Sequence, residues 1–115
     1  MKITDVTLTL FGWSGIPSTT YGRHTGRFSG KSQLGLLRLR TDEGLEGHAF
    51  LGSAMRGAHL DGESLIQQLK PIVMGQNPLD RERLYQALWQ RNRSTTIRAI
   101  GAMDVALWDI GGKAA

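Results

Sequence analysis

Residues 97–115 read IRAIGAMDVALWDIGGKAA, and this stretch decides the fold. Its polar side chains are Arg98, Asp104, Asp109 and Lys113, and apolar residues fill most positions between them. At 3.6 residues per turn these apolar side chains point to nearly every side of a helix, so a single packed face cannot bury them all. The pattern predicts a helix that is covered from more than one side. We therefore expect the chain to be a piece of a larger protein.

The composition is typical of one globular domain. The chain has 115 residues, of which 40% are hydrophobic and 21% charged, which argues against disorder. No apolar run approaches the roughly 20 residues of a membrane-spanning helix, and the amino-terminal MKITDVTLTL lacks the apolar core of a secretion signal. The chain has no cysteine, which excludes disulfides and thiolate chemistry. We expect a cytoplasmic domain that does not bind membranes.

The positive charge is concentrated near the amino terminus. The net charge is +4, and residues 1–60 carry seven basic and four acidic side chains, against seven and six in residues 61–115. Residues 12–31 contain Arg23, Arg27 and Lys31 but no acid. Nucleic-acid binders usually cluster bases along one helix face or among aromatic residues, and this chain does neither. The charge favours a small anionic ligand.

The first half of the chain predicts three strands. Residues 2–11 alternate, with Val6, Leu8 and Leu10 on one side, as in a strand with one buried face. Residues 34–41 and 45–51 flank a three-residue turn with Gly44 where a positive φ is required, which predicts a hairpin. Residues 12–31 hold five glycines and no periodicity. We predict a long loop there, and such loops are often lids or binding loops. Another glycine-containing loop is predicted over residues 52–62.

The second half predicts three helices. Apolar residues recur at helical spacing over residues 65–73, where Pro71 should bend or shorten the last turn and Gly75 should end the helix. Residues 77–89 predict a second helix. The apolar stretch forms the third, with Ser94, Thr95 or Thr96 as its cap. Strands followed by helices predict an α+β domain, a three-stranded antiparallel meander followed by a three-helix bundle.

The sequence contains no convincing catalytic or metal-binding set. His24, His48 and His59 lie too far apart along the chain to form a helical metal motif. Asp104 and Asp109 point about 140° apart on a helix, so they cannot share a site, and we predict that Asp104 is buried and hydrogen-bonded. No nucleophile with an adjacent base is evident. The sequence therefore predicts no catalytic residue and no metal-ligating residue in this chain.

Three segments together resemble a known family. AIGAMDVALWDIGGKAA (99–115) resembles the segment that leads into the barrel in the mandelate racemase and muconate-lactonising group of the enolase superfamily. LRLRTDEGLEGHAF (37–50) is similar to the amino-terminal hairpin of that group, and NPLDRERLYQALW (77–89) to its second helix. With the leading strand, the resemblance covers essentially the whole chain in the same order.

The resemblance implies that residues 1–115 form an amino-terminal capping, or lid, domain, whose last helix, about residues 95–115, leads into a (β/α) barrel. It implies an enzyme, a lyase or isomerase, whose barrel binds Mg²⁺ and carries the bases that remove the proton α to a substrate carboxylate. The loops over residues 12–31 and 52–62 match the lid loops. Two positions depart from the group's pattern, since Ala49-Phe50 replaces a frequent glycine–glutamate pair and Gly111 replaces a frequent lysine.

Three functions remain open at this point. The first is the lid and specificity domain of an acid-sugar dehydratase or racemase, which the basic loop favours. The second is the same domain in a cycloisomerase or epimerase, and the third is a stand-alone basic module that binds a polyanion. For the first, the partners expected are the chain's own barrel, a small carboxylate substrate and further copies in a homo-oligomer, but no nucleic acid. We predict that the substrate-binding residues are Trp13, Tyr21, Arg23, His24 and Arg56. We also predict that Trp13 is largely exposed and that Trp108 is buried against the rest of the domain or the barrel.

Overall fold

The fold is an antiparallel sheet with helices on one face. The structure is a computed structural model that describes residues 1–15, 17, 19–20, 27–28, 31–53 and 56–115, with the backbone alone at 19–20 and 27–28. Its strands are β1 (Ile3–Trp13), β2 (Thr19–Thr20), β3 (Arg27–Phe28), β4 (Ser32–Thr41) and β5 (Glu46–Leu51). The helical segments are α1 (His59–Ser64), a π-helical turn (Leu65–Leu69), α2 (Lys70–Val73), α3 (Arg81–Trp89) and α4 (Ile97–Ala114). None of the helices so described is long and apolar enough to cross a membrane.

The predicted three-stranded antiparallel meander is confirmed. The strand order is β1-β4-β5, and both pairings are antiparallel. Gly44 adopts φ +82° in the turn between β4 and β5, and the Gly44 amide donates to the Thr41 carbonyl over 3.3 Å. That conformation is unfavourable for any residue with a Cβ, so the glycine determines this turn and the register of the hairpin.

The core lies between one face of the sheet and the helices. Val6 in β1, Leu39 in β4 and Ala49 in β5 point towards the helices and are buried. Leu8 and Leu10 follow Val6 on the same face, as predicted. They become progressively more exposed along the strand, and Leu10 is 43% exposed.

Two of the predicted loops differ from the structure. Within residues 12–31 the structure contains the short paired strands β2 and β3, in antiparallel register. The polar, glycine-rich sequence hides them because two-residue strands are too short to show alternation. The second predicted loop, 52–62, is also too long, because α1 already begins at His59. We call residues 52–58 the β5–α1 connection.

A π-helical turn directly precedes Pro71. The five residues Leu65–Leu69 form a π-helical turn, and the Lys70 amide donates to the Leu65 carbonyl, five residues back. A proline inside an α-helix lacks an amide hydrogen and clashes with the carbonyl four residues earlier. The wider π turn directly before Pro71 accommodates the ring, so the helix continues to Val73. Gly75 then adopts φ +77°, as its predicted role at the helix end requires.

Helix α4 begins at the predicted cap. The Thr96 side-chain oxygen accepts a hydrogen bond from the Ala99 amide over 3.1 Å. The inner face of α4 packs on the sheet, and its side chains are buried; they include Ala99, Ile100, Ala102, Met103, Ala106, Leu107 and Ile110. At Gly47 of β5 the approach is so close that an added Cβ would overlap the Ala106 carbonyl oxygen. Glycine at this position therefore allows the helix to lie directly against the strand.

Helix α4 also covers the free edge of β5. The Asp109 carboxylate accepts from the His48 amide over 2.9 Å, and Lys113 Nζ donates to the Glu46 carbonyl over 2.8 Å. Lys113 also bonds Asp109 over 2.9 Å. These contacts satisfy backbone groups of an edge strand that would otherwise be open to pairing with another chain. They give the His48 backbone a structural role at the sheet edge and show that Asp109 acts apart from Asp104.

The outer face of α4 contradicts the expectation that Trp108 is buried within the domain. Trp108 is 58% exposed, and Ile97 and Val105 on the same face are 66% and 56% exposed. The Arg81 guanidinium lies over the Trp108 ring at 3.9 Å. A Cβ at Gly111 would overlap that guanidinium, so glycine at this position leaves room for it. Whether a barrel covers Trp108 stays a prediction.

The prediction for Asp104 is also wrong in part. Its side chain is half-buried and lines a shallow cavity of about 200 Å³ with Arg81, Tyr85 and Trp108. Loss of water around the carboxyl group raises the pKa of Asp104, and the nearby Arg81 charge opposes that shift. The aromatic residues of α3 and α4 do not enclose this carboxylate because they remain partly exposed themselves.

Candidate functional site

The two segments with predicted binding residues start from the same end of the sheet. Trp13 at the end of β1 is paired with Ser32 at the beginning of β4, so the chain that leaves at Trp13 returns beside it. The Ser32 hydroxyl donates to the Ser53 carbonyl in the β5–α1 connection. The structure thus brings Trp13 and the connection that contains Arg56 to one end. Tyr21, Arg23 and His24 lie outside the described residues.

Trp13 is partly buried, contrary to the expectation that it is largely exposed. Its indole nitrogen is fully covered and has no acceptor among the described parts of the chain. An unpaired buried donor is uncommon in folded proteins, because removing an N–H group from water without a partner is costly. The end of the sheet at Trp13 therefore contains a covered indole N–H for which the described residues supply no acceptor.

The β5–α1 connection is held by backbone geometry at both ends. Gly52 adopts φ +94°, and a Cβ there would come within 2.6 Å of the Gln33 carbonyl oxygen. At the other end, the Ala58 amide donates to the Gln33 carbonyl over 2.8 Å, and the His59 amide to the Gln33 side-chain oxygen over 3.1 Å. Gln33 in β4 therefore joins both ends of the connection to the sheet.

Arg56 makes a bidentate ion pair with Asp61, the third residue of α1. Arg56 Nε lies 2.9 Å from one carboxylate oxygen of Asp61, and Nη2 lies 2.8 Å from the other. The Asp61 side chain is fully buried, whereas that of Arg56 is 34% exposed. The Arg56 guanidinium holds the pKa of Asp61 below its ordinary value, against the opposing effect of burial. In turn, Asp61 raises the pKa of Arg56.

Asp61 was not predicted from the sequence. Its only signal is an acid five residues after Arg56, in a stretch that was interpreted as loop. Because α1 begins at His59 rather than after Gly62, Asp61 becomes part of a helix that packs against the core. A buried carboxylate needs a charged or hydrogen-bonding partner, and the structure supplies Arg56.

An apolar groove lies beside this end of the sheet, between β1 and α1. It has a volume of about 420 Å³ and is lined mainly by Leu8, Leu10, His59 and Ile66. Gly62 allows α1 to approach the strand, since a Cβ there would lie 2.7 Å from Leu8 Cδ2. Within the described parts of the chain, no group of three His, Cys, Asp or Glu side chains could hold a metal ion. The site as described can bind and orient a ligand, but it presents no metal centre.

Comparison with known proteins identifies the family. Residues 19–115 match the family model of the mandelate racemase / muconate lactonizing enzyme, N-terminal domain. The chain belongs to this family. The fold agrees with the enolase-type capping domain, which confirms the resemblance based on the hairpin and the last two helices.

Two curated relatives act on sugar acids by name. A D-xylonate dehydratase of Haloferax volcanii is 36% identical over 84 residues, which cover 68% of this chain and 19% of that protein. A D-mannonate dehydratase of Novosphingobium aromaticivorans is 36% identical over 86 residues, covering 69% of this chain and 20% of that protein. The chain thus corresponds to about a fifth of the length of these relatives.

A solved structure shares the fold. It is a racemase from Streptomyces coelicolor A3(2) with bound magnesium, with a TM-score of 0.78 and 22% identity. The match covers 96% of this chain and 32% of that protein. In this family, therefore, the α+β domain occurs as one part of much longer proteins.

Proposed function

We propose that this chain is the lid and substrate-specificity domain of a Mg²⁺-dependent enzyme that abstracts the proton α to a carboxylate, and that its substrate is a sugar acid. The reaction is then a dehydration or a racemisation of a hydroxy acid. The proposal rests on one structural observation, the convergence of the long loop and the β5–α1 connection at one end of the sheet. The names of the two dehydratase relatives support the substrate class.

The chemistry of the loops fits a carboxylate substrate. Residues 12–31 carry basic side chains and no acid, and the Trp13 indole N–H, which has no acceptor among the described residues, lies at the point where that loop leaves β1. When a lid excludes water, each charge contact beneath it strengthens, because the local dielectric constant falls. We propose that Trp13, Tyr21, Arg23 and His24 bind the substrate, and that Arg56 contributes from the β5–α1 connection.

The remaining steps belong to a barrel. We propose that the barrel of the same polypeptide carries the bases and holds the magnesium ion, which would stabilise the enolate formed when the proton leaves. The described residues of the capping domain include no set that fits the metal. This division leaves binding, orientation and exclusion of water to the present chain.

The outer face of α4 supports a covering barrel. Ile97, Val105 and Trp108 expose more than half of their surface on that face. Tyr85 and Trp89 of α3 stack with ring centres 6.3 Å apart and are also partly exposed. Aromatic side chains and arginine are typical of the buried centre of an interface, and Arg81 lies on Trp108 here.

The test is the kinetics of the full-length protein with D-xylonate and D-mannonate as probes. We expect Arg23→Ala and His24→Ala to raise KM about tenfold or more, a loss of about 1.4 kcal/mol per factor of ten, with kcat little changed. Arg83→Ala is the matched control, because Arg83 bonds Gln76 beside Ile3, at the other end of β1. Unaltered kcat/KM in both loop variants would refute the role of the loop.

A further inference from the structure

Arg56 was expected to contact the substrate, but its geometry favours another role. Two of its N–H groups are directed at the two oxygens of Asp61, the most strongly orienting arrangement that a guanidinium can make. The positive charge is neutralised by a carboxylate that is itself fully buried. An anionic ligand that drew Arg56 away would leave that carboxylate buried and unpaired, which is strongly unfavourable.

The ion pair joins the β5–α1 connection to two helices. Asp61 lies in α1, so the Arg56 side chain ties the connection to the first turn of that helix. Thr96, whose side-chain oxygen accepts from the Ala99 amide as the cap of α4, lies close enough to Asp61 to help hold the pKa of that carboxyl below its ordinary value. Ser64 and Thr95 add a parallel contact, since their hydroxyl oxygens lie 2.8 Å apart. One buried carboxylate therefore connects Arg56, α1 and the beginning of α4.

The backbone of Arg56 is hydrogen-bonded to Ser53, near the start of the β5–α1 connection. The Ser53 amide donates to the Arg56 carbonyl over 2.8 Å, and the Arg56 amide donates to the Ser53 hydroxyl over 3.1 Å. The Ser53 carbonyl accepts in turn from Ser32 in β4. Movement of Arg56 would thus disturb the contacts of the connection with the sheet as well as those with the helices.

We infer that Arg56 is a positioning residue: with Asp61 it fixes the β5–α1 connection against α1 and the cap of α4, and it affects substrate binding through the placement of the connection. The part that concerns substrate binding rests on the proposed function. The structural part concerns the free protein and does not depend on any substrate.

The first experiment measures hydrogen exchange in the full-length protein without substrate. Arg56→Gln and Asp61→Asn should each accelerate exchange at the Ser53, Arg56, Ala58 and His59 amides about tenfold, which corresponds to about 1.4 kcal/mol of easier local opening. The double variant should exchange no faster than the single variants, because each change removes the same contact. The control is Asp80→Asn, which removes the exposed Asp80–Arg83 pair and should leave these amides unchanged. Unchanged exchange in Asp61→Asn would overturn the inference.

The second experiment separates positioning from direct contact. If Arg56 acts through Asp61, Asp61→Asn and Arg56→Gln should raise KM by the same factor and Arg56→Lys should restore part of the loss, since lysine keeps the charge. If Arg56 binds the substrate directly, Asp61→Asn should leave KM unchanged or lower it, because the guanidinium is freed, and this result would overturn the inference. A protein that turns over no sugar acid would refute the proposed function, while the exchange experiment would still decide the role of the ion pair.

Discussion

Gly47→Ala tests how closely α4 lies against β5. A Cβ at Gly47 would overlap the Ala106 carbonyl oxygen and lie 2.7 Å from Ile110 Cγ1. Carbon atoms in good contact are about 3.5–4.0 Å apart, so the helix would have to retreat by about 1 Å. Such a shift would also stretch the bonds by which Asp109 and Lys113 hold the edge of β5.

The size of the effect follows from two opposed contributions. Replacing glycine by alanine within a strand lowers the entropy of the unfolded chain and by itself stabilises by about 0.5–1 kcal/mol. Overpacking of a well-filled core costs about 1–3 kcal/mol, and the neighbour here includes helix backbone, which cannot rotate away. We expect a net loss of about 1–2 kcal/mol in the free energy of unfolding, which corresponds to about 4–8 °C in Tm for a domain of this size.

Thermal and urea unfolding of the 115-residue chain, followed by circular dichroism, measures this loss. Gly101→Ala is the matched control, because Gly101 lies in α4 itself with open space where its Cβ would be. Alanine there should stabilise by about 0.5–1 kcal/mol through helix propensity alone. If Gly47→Ala unfolds at or above the wild-type midpoint while Gly101→Ala behaves as expected, the close packing of α4 on β5 is wrong.

Two further predictions follow. Trp108→Ala should lower the free energy of unfolding of the 115-residue chain by about 1–2 kcal/mol, well below the 3–5 kcal/mol of a fully buried tryptophan. The reason is that the ring is 58% exposed and its main identified partner is the Arg81 guanidinium. Urea unfolding measures the loss, and a value of about 3 kcal/mol or more would contradict the exposed position. Stability should fall as the pH drops below about 4, because the folded-state pKa values of four carboxyl groups are lowered by a basic partner: Asp5 by Lys70, Glu46 by Arg38, Asp61 by Arg56 and Asp109 by Lys113. Stabilisation present above the unfolded-state pKa is then lost on protonation, whereas the raised pKa of Asp104 acts with the opposite sign. Urea midpoints from pH 7 to pH 3 measure this loss; Asp61→Asn should make the decline shallower, and a midpoint that rises towards pH 3 would contradict the prediction.

The features predicted correctly from the sequence are those in which one local residue determines the conformation. Gly44 and Gly75 both adopt the positive φ that their positions required. Thr96 caps α4 because its side-chain oxygen reaches the amide of Ala99 in the first turn. Val6 faces the core because strand periodicity fixes which side chains share a face. Each of these predictions depends on a few neighbouring residues and on no distant contact.

The features that were missed depend on contacts between distant parts of the chain. Asp61 could not be recognised as a partner of Arg56, because its burial follows from the packing of α1 against the core. The sequence could not predict that the two segments with predicted binding residues start from the same end of the sheet, because this depends on the pairing of Trp13 with Ser32. The binding roles of Trp13, Tyr21, Arg23 and His24 stay predictions, and the direct contact first predicted for Arg56 is replaced by the positioning role inferred from its ion pair with Asp61.

Helix α4 is more apolar than this domain alone requires. Its inner side packs on the sheet, and the apolar side chains there are buried. On the outer side, Ile97, Val105 and Trp108 recur at spacings of eight and three residues and therefore share one face, with Gly101 between them in open space. Even with the Arg81 guanidinium over the Trp108 ring, all three side chains stay more than half exposed, and burying them would remove three large apolar side chains from water. The surplus of apolar residues that made this helix prominent in the sequence is therefore best explained by the barrel that we propose to lie against it.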